Sequence, residues 1–373
     1  MKIFVTRKIP KPGLDLLRKR YDIDVNTDSR VLTKKEIING LQGKDGLLCL
    51  LTDPIDKDVI NSEPKLKMIA SYAVGYNNID IKAATEKGIP VSNTPGVLTD
   101  DIDKDVIQSE PNLKMIASYA VGYNNIDVKV ATQRDIPVSN TPDVLTDTTA
   151  EMAWALLFSV ARRIAEGDAF TKTGRFEGWD PMLMHGQDVS NKTLGIIGAG
   201  RIGTSFALKS KGFNMNVLYV NDGVNKILEQ EFKAKKVDFY QLLKSSDFVS
   251  LHVPLNKETH HLIGEKELKM MKKTAVIINT SRGAVIDEQA LVKALKKRWI
   301  FGAGLDVYEY EPDISEELKK LDNVILQPHS ASATIETRTK MAIMAAENMI
   351  AGLKGENPPN CVNKEIFQKK STR

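Results

Sequence analysis

Three glycines spaced as G-x-G-x-x-G constrain the fold of this chain more than any other feature. The apolar run Leu194–Ile197 leads directly into them, and a helical pattern follows from Thr204 to Lys211. In this strand–turn–helix setting the first glycine allows a tight turn, the second lets the backbone approach a pyrophosphate, and the third lets helix and strand pack closely. The helix N-terminus adds N–H donors and a favourable dipole. The residues expected to bind a dinucleotide are Gly198, Ala199, Gly200, Arg201, Ile202 and Gly203.

Strands alternate with amphipathic segments along the whole chain, which favours parallel sheets with helical crossovers. The pattern predicts an α/β fold with two doubly wound parallel-sheet lobes. The expected strands include Ile3–Thr6, Ile23–Val25, Gly46–Leu51, Val217–Val220, Phe248–His252, Ala275–Asn279, Gly302–Asp306 and Val324–Gln327.

A stretch of 47 residues occurs twice in succession. Residues 53–99 recur as residues 100–146, and 38 of the 47 paired positions are identical. Because solenoids need at least three stacked units, we interpret the repeat as a single tandem duplication inside one domain. Only one copy can lie beside the strand Gly46–Leu51 unless the sheet widens. We favour the second copy there, since its strand Val138–Asn140 leads directly into a long helix, although Gly46–Leu51 itself runs directly into the first copy.

The residues after the second strand of the nucleotide-binding lobe should contact the cofactor's ribose. Asn221, Asp222 and Gly223 follow the apolar run Val217–Val220, about 20 residues beyond the glycine loop. An acidic side chain accepts a hydrogen bond from a ribose 2′-hydroxyl and repels a 2′-phosphate. NADH is therefore the preferred cofactor. NADPH stays possible, because Lys226 lies close by in the sequence.

Three later strand ends carry the polar residues that reduction of a carbonyl requires, namely Arg282, Glu311 and His329. Ligands of open α/β sheets bind at the carboxyl ends of the strands. A histidine, with an ordinary pKa of about 6.5, can protonate an oxygen that gains negative charge, and a neighbouring carboxylate favours its charged form. An arginine offers a permanently charged, planar fork to a carboxylate. His329 is thus the candidate proton donor, Glu311 its partner and Arg282 the candidate substrate anchor.

Composition narrows the class of protein. The 52 Lys and Arg residues nearly balance the 48 Asp and Glu residues, and the net charge of +4 is too small to indicate nucleic acid or a membrane surface as a partner. No apolar run reaches the roughly 20 residues of a membrane span, and the chain opens on a strand pattern rather than on a signal peptide. Cys49 and Cys361 lack CxxC partners, so neither a disulfide framework nor a metal site is expected. From these features of the composition we expect a cytoplasmic protein.

At these residues the chain resembles the D-isomer-specific 2-hydroxyacid dehydrogenases, most closely their glyoxylate reductase branch. The resemblance runs from Ile3 to about Asn363, in the family's order and spacing except at the repeat. The matching motifs are Tyr-Ala-Val-Gly-Tyr-Asn-Asn-Ile-Asp and Asn-Thr-Pro-x-Val-Leu-Thr (each twice), Thr149–Glu151, Gly198–Gly203, Ser250–Leu255, Asn279–Gly283, Gly304–Val307, Glu311–Pro312 and Pro328–His329.

The resemblance implies an enzyme that reduces glyoxylate, a small 2-oxoacid, with a nicotinamide cofactor. Arg282 would then bind the substrate, Glu311 would support His329, and His329 would be the acid–base residue. In the family, backbone amides of a Val-Gly pair hold the substrate carboxylate. The repeat supplies two such pairs, Val74-Gly75 and Val121-Gly122, of which we favour the second. Further cofactor contacts are expected from Thr280, Ser281, Arg282, His329, Ser330 and Ala331.

The resemblance also implies a homodimer and a domain arrangement. A Rossmann NAD(P)-binding domain over residues 148–329 is inserted in a flavodoxin-like substrate domain formed by residues 1–147 and 330–373. One departure is Ala331, where the family usually has glycine, and a methyl group there would narrow the space beside the cofactor. Three alternatives stay open: a hydroxypyruvate or phosphoglycerate-type dehydrogenase, a non-enzymatic NAD(H)-binding regulator, and an inactive relic of the duplication.

Overall fold

The computed structural model describes residues 1–9, 11–28, 30–50, 52–71, 78–92 and 102–368. The chain divides into two compact units, Met1–Asp100 and Asp101–Arg373. Both units contain parallel strands joined by helices, which confirms the predicted α/β class. No helix within the described ranges is long and apolar enough to cross a membrane.

The first unit is built around a five-stranded parallel sheet. Its elements in chain order are β1 (Lys2–Val5), α1 (Lys11–Arg18), β2 (Asp22–Val25), α2 (Lys34–Leu41), β3 (Gly46–Cys49), α3 (Lys57–Asn61), β4 (Met68–Ser71), α4 (Ile81–Glu86) and β5 (Val91–Ser92). The strands lie in the order β2-β1-β3-β4-β5, and every pair is parallel. This is the flavodoxin-like order of doubly wound sheets.

Local sequence explains how α2 begins and what it covers. Oγ1 of Thr33 accepts a hydrogen bond from the backbone N of Glu36, and the Glu36 carboxylate accepts one from the backbone N of Thr33. This capping box satisfies two backbone donors of the first helical turn. Ile37 and Leu41, one turn apart on the helix, are fully buried and belong to the same core cluster as Leu47 of β3.

The second unit contains the remaining elements. In chain order they are α5 (Lys104–Ser109), β6 (Ile116–Ala117), α6 (Val128–Gln133), β7 (Val138–Ser139), α7 (Thr146–Ala161), α8 (Ile164–Lys172), β8 (Thr193–Ile197), α9 (Arg201–Lys209), β9 (Asn216–Val220), α10 (Lys226–Phe232), β10 (Lys235–Lys236), α11 (Phe239–Ser245), β11 (Phe248–Leu251), α12 (Glu265–Met270), β12 (Val276–Asn279), α13 (Glu288–Lys296), β13 (Gly302–Leu305), α14 (Glu316–Lys319), β14 (Val324–Leu326), α15 (Ile335–Leu353) and α16 (Glu365–Gln368). Short 3-10 helices lie at Ser210–Phe213 and Gly283–Val285.

A seven-stranded parallel sheet forms the centre of this unit. Its order is β10-β9-β8-β11-β12-β13-β14, which is the Rossmann order with one strand added. The connections reverse direction between β8 and β11, and ligands of such sheets bind at that reversal, outside the carboxyl ends of the strands. The helix α7 approaches β13 closely because β13 has glycines: a Cβ at Gly304 would lie 2.9 Å from Cβ of Leu156.

The two repeat copies have the same local structure. In the first, β4 pairs with β5 through Ile69↔Val91, and in the second β6 pairs with β7 through Ile116↔Val138. These partners differ by the repeat length of 47 residues. Nearly identical sequences therefore form the same short parallel pair in both units.

The first copy, not the second, lies beside β3. Strand β4 pairs with β3 from Gly46↔Met68 to Cys49↔Ser71. Among the described strands β6 pairs with β7 alone, in a separate two-stranded sheet. The expectation that the second copy takes the place beside β3 is therefore wrong. The first copy follows β3 directly in the chain, and pairing neighbouring segments closes the shorter loop.

The second copy packs against α15 and the segment that follows it. Nδ2 of Asn348 in α15 donates to the backbone oxygen of Asn140 at 3.1 Å. Oδ1 of Asn363 accepts from the backbone N of Val138 at 2.8 Å, and Nδ2 of Asn363 donates to the backbone oxygen of Ile136 at 3.0 Å. Both asparagine side chains are buried, and buried amides are stable only when they are hydrogen-bonded in this way.

Candidate active site

The glycine loop lies between β8 and α9 in the geometry that the sequence predicts. Gly198 has φ +93°, and a Cβ there would lie 2.8 Å from the backbone of His252. A Cβ at Gly203 would lie 2.2 Å from the carbonyl oxygen of Gly198. Gly200 is the N-cap of α9. A Cβ added at Gly200 would have no described atom within 4 Å beyond its chain neighbours. The loop is thus tightly packed at its first and third glycines and open at the second, where a phosphate must approach.

Asn225, which no sequence motif singles out, holds this loop against α9. Its Nδ2 donates to the carbonyl oxygen of Ala199 at 2.9 Å and to Oγ1 of Thr204 at 2.7 Å. Its Oδ1 accepts from the backbone N of Leu228 at 3.0 Å, which caps α10. An asparagine before a helical pattern indicates an N-cap. Its second role arises only because the fold brings it beside Ala199.

The residues expected to contact the ribose lie after β9. Asp222 is exposed, and Nδ2 of Asn221 donates to the backbone oxygen of Gly223 at 3.2 Å. Nζ of Lys236 in β10 donates to the backbone oxygen of Asp222 at 2.8 Å. The fold therefore places the positive charge of Lys236 beside Asp222, although the two residues are 14 positions apart in the sequence.

His329 and Glu311 form a pair beyond the carboxyl ends of β14 and β13. Nδ1 of His329 lies 2.9 Å from Oε2 of Glu311, and the side chains are 26% and 8% exposed. Oε1 of Glu311 accepts from the backbone N of Tyr308 at 2.8 Å, so the carboxylate is held at both oxygens. With Nδ1 occupied, Nε2 is the ring nitrogen of His329 that can exchange a proton with a ligand.

Asp306 fixes the turn that carries His329. Its buried carboxylate accepts from the backbone N of Ser330 at 2.7 Å and from the backbone N of Ala331 at 2.8 Å. Burial raises the pKa of Asp306, and the two backbone hydrogen bonds oppose that rise. In the sequence Asp306 stands at the end of a predicted strand, and nothing near it there indicates a role. Its contribution depends on the neighbouring strand β14, which brings Ser330 and Ala331 to it.

Arg282 lies in the turn after β12. Nδ2 of Asn279 donates to the backbone oxygen of Arg282 at 2.9 Å, and Oγ of Ser281 donates to Oδ1 of Asn279 at 2.8 Å. Burial lowers the pKa of Arg282, and the negative charge of Glu311 opposes that fall. Arg282 and Glu311 are thus close enough to interact electrostatically. A desolvated guanidinium interacts strongly with an anion that reaches it.

The second copy of the repeat brings Gly122 against Arg282. A Cβ at Gly122 would lie 1.8 Å from Nη2 of Arg282, so no side chain fits there without displacing the guanidinium. Nε of Arg282 donates to Oδ1 of Asn124 at 3.1 Å. This segment therefore presents its bare backbone to the arginine.

The neighbouring Val121 is also held in place. Its backbone oxygen accepts from Nδ2 of Asn140 at 2.9 Å, which joins this segment to the end of β7. Val74 and Gly75, the corresponding pair of the first copy, lie outside the described residues. The structure therefore brings one of the two predicted Val-Gly pairs to the arginine and does not describe the other.

A nicotinamide dinucleotide fits the residues at this edge of the sheet. Oγ1 of Thr280 is buried and has no hydrogen-bond partner in the described part of the chain, which is costly unless a ligand or water provides one. Gly198–Gly203 can hold the pyrophosphate, Asn221–Gly223 the adenine ribose, and Thr280 with Ser281 the nicotinamide end. Ala331 is buried, and its backbone N donates to the carboxylate of Asp306.

An ion pair joins Asp143 to Arg201, the first residue of α9. Oδ1 of Asp143 lies 2.7 Å from Nε of Arg201, and the side chains are 64% and 68% exposed. Such an exposed pair contributes at most about 1 kcal/mol to stability. Asp143 has φ +66°, and the first copy has Gly96 at the equivalent position. The second copy thus places a carboxylate beside the start of α9.

The Rossmann sheet, the glycine loop and the His–Glu pair define a nicotinamide-dependent dehydrogenase. The family model of the D-isomer specific 2-hydroxyacid dehydrogenase NAD binding domain matches residues 154–331, and that of the catalytic domain matches residues 3–102. Most of the second copy falls between the two matches. The chain belongs to the D-isomer specific 2-hydroxyacid dehydrogenases, as its motifs predict.

Relatives match over nearly the whole chain. A glyoxylate reductase from Thermococcus litoralis is 46% identical over 370 residues, which are 98% of each chain. The crystal structure of a glyoxylate reductase from Paecilomyes thermophila covers 98% of this chain and 99% of its own, with 28% identity and a TM-score of 0.57. An NADPH-dependent glyoxylate/hydroxypyruvate reductase from Sinorhizobium meliloti, solved with NADP and malonate, covers 97% of this chain and 96% of its own, with 25% identity and a TM-score of 0.63.

Proposed function

We propose that this chain reduces glyoxylate to glycolate with NADH, at a site formed by Arg282, Glu311 and His329. The observation that carries the proposal is the 2.9 Å contact between Nδ1 of His329 and Oε2 of Glu311, together with the partly buried guanidinium of Arg282. Similarity to glyoxylate reductases over almost the full chain supports the choice of substrate.

Each of the chain's own groups has a defined task in this reaction. The nicotinamide, when bound, supplies a hydride for the carbonyl carbon. Arg282 binds the substrate carboxylate and orients the carbonyl, and the bare backbone at Gly122 leaves room for the guanidinium. His329, held at Nδ1 by Glu311, donates a proton from Nε2 to the carbonyl oxygen as negative charge develops there. The product is the corresponding 2-hydroxyacid.

A direct assay tests the proposal. Purified protein is mixed with NADH and one of several 2-oxoacids, including glyoxylate, hydroxypyruvate and phosphohydroxypyruvate, and NADH oxidation is followed. The highest kcat/KM is expected for glyoxylate. A higher value for one of the other two acids would assign the protein to the corresponding reductase. NADH binding without turnover of any acid would support a regulator or an inactive relic instead.

The preference for NADH rests on Asp222, whose carboxylate would face the 2′-phosphate of NADPH. Lys236 lies beside Asp222 and is the opposing influence. Asp222→Ser should therefore raise kcat/KM for NADPH by about 10-fold, equivalent to about 1.4 kcal/mol, while Lys236→Gln should lower it. Equal kcat/KM values for the two cofactors in the parent protein would contradict the preference.

The same proposal includes a cytoplasmic homodimer. Cys49 and Cys361 are free and buried, which fits a compartment that keeps thiols reduced, and the family resemblance implies the dimer. Size-exclusion chromatography with light scattering gives the mass in solution, and a monomer mass would contradict the dimer.

A further inference from the structure

Two adjacent histidines outside the active site face a glutamate from another loop. His260 and His261 lie between β11 and α12, and Glu309 lies after β13. The backbone N of His260 donates to the backbone oxygen of Asn256 at 2.9 Å, and that of His261 donates to the backbone oxygen of Ala284 at 2.8 Å. Both histidines are therefore fixed to the protein through their backbones, in a turn.

The three side chains converge on one small volume. The two imidazole rings are 4.0 Å apart between centroids, at an interplanar angle of 32°. Nε2 of His261 lies 2.7 Å from Oε1 of Glu309. One nitrogen of each histidine and one oxygen of the glutamate lie within 4.8 Å of one another. His261 has φ +50°, a conformation that few residues other than glycine adopt, and it is this backbone turn that holds the cluster together.

Glu309 is the rigid member of the cluster, and the histidines are the adjustable ones. The Glu309 side chain is only 7% exposed. Its second oxygen, Oε2, accepts from the backbone N of Glu288 at 3.0 Å, which leaves Oε1 directed at His261. His260 and His261 are exposed, so their rings can rotate without disturbing the core.

We propose that His260, His261 and Glu309 bind one divalent transition-metal ion of the Zn²⁺ class. Two imidazole nitrogens and one carboxylate oxygen form a ligand set that Zn²⁺, Co²⁺ and Ni²⁺ accept, whereas Ca²⁺ and Mg²⁺ prefer oxygen ligands alone. With bonds of about 2.0–2.1 Å, neighbouring ligands of a tetrahedral ion lie about 3.4 Å apart. The 2.7 Å between Nε2 of His261 and Oε1 of Glu309 must therefore widen, while separations of up to 4.8 Å must shorten. Rotations of the two exposed rings allow both adjustments, and water takes the fourth position.

The ion would tie together two loops that border the active site. One loop contains His260 and His261 and is hydrogen-bonded to Ala284, two residues after Arg282. The other contains Glu309, two residues before Glu311. The bound ion should therefore stabilise the folded protein, because it binds the folded arrangement and not the separated loops of the unfolded chain.

Metal binding to untagged protein tests this inference without any measurement of activity. Titration with Co²⁺ is followed by visible absorption, and titration with Zn²⁺ by calorimetry. We expect one ion per chain, a higher Tm in the presence of Zn²⁺, and weaker binding on acidification, since protonated imidazoles do not bind metal. Neither Ca²⁺ nor Mg²⁺ should raise the Tm.

Matched variants locate the ion. His260→Gln should weaken binding by roughly 10-fold or more and abolish the rise in Tm. Because His260 is exposed, this variant should fold normally. Glu309→Gln should also weaken metal binding and reduce the rise in Tm. His185→Gln, which changes an exposed histidine elsewhere in this unit, should bind as the parent does. Absence of stoichiometric binding in the parent, or unchanged affinity in His260→Gln, would overturn the proposal.

Discussion

The imidazole of His329 meets the carboxylate of Glu311 with 2.9 Å between Nδ1 and Oε2. The other oxygen of Glu311 is bonded to the backbone of Tyr308, so the carboxylate cannot turn away from the ring. This contact fixes which ring nitrogen of His329 faces outward. It is the arrangement that a proton donor for a developing alkoxide requires.

Replacing His329 by alanine should lower kcat for glyoxylate reduction by about 10²–10⁴-fold, the usual contribution of a general acid. The Kd of NADH, measured by fluorescence titration, should change little, because the glycine loop is unaffected. Unchanged turnover in this variant would remove His329 from the mechanism.

Arg282→Lys should chiefly raise KM for glyoxylate. Lysine keeps the positive charge but loses the planar fork that binds both carboxylate oxygens, and it also loses the bond from Nε to Asn124. Steady-state kinetics at saturating NADH give the two constants separately. Parent-like kinetics would mean that another group holds the substrate carboxylate.

Gly122→Val should abolish activity, since a Cβ at this position would lie 1.8 Å from Nη2 of Arg282. Gly75→Val is the matched control in the first copy of the repeat, and it should mainly lower stability. Thermal denaturation and NADH oxidation are measured for both. If instead Gly75→Val abolishes activity and Gly122→Val does not, the first copy supplies the substrate site.

Stability should fall as the pH drops below neutral, because of the partly buried His252. Burial lowers the pKa of His252 to about 3, whereas in the unfolded chain the value is about 6.5. Between these values the unfolded chain binds one more proton, so this histidine lowers the free energy of unfolding by up to about 1.4 kcal/mol per pH unit as pH falls. Urea denaturation across this range should show a shallower dependence for His252→Asn than for the parent, while the exposed-site variant His185→Gln should follow the parent.

Deleting residues 53–99 should leave a folded, active enzyme. The second copy would then follow β3 directly, and its Met115–Ser118 has the same sequence as Met68–Ser71, so it can pair with β3 in the register that β4 uses. Deleting residues 100–146 gives nearly the same chain but with Gly96 in place of Asp143. The two products should have similar Tm values. An insoluble product from both deletions would show that the fold now requires the duplication.

The sequence by itself determined most strands of the nucleotide-binding sheet, its glycine loop and the positions of Arg282, Glu311 and His329 at strand ends. These features follow from short-range patterns: each polar residue stands immediately after an apolar run, and parallel strands place their carboxyl ends at one edge. Each of these patterns lies within a few neighbouring residues, so it can be recognised without the tertiary structure.

Contacts between distant segments were decided only by the tertiary structure. Asn225 reaches Ala199, Asp306 reaches the turn after His329, and Lys236 reaches Asp222, because crossovers bring separate strands side by side. The position of each repeat copy has the same origin. Two nearly identical segments have the same local preferences, so nothing in their own sequence selects the one that pairs with β3. Chain connectivity and the packing of α15 make that choice, and both act only in the folded molecule.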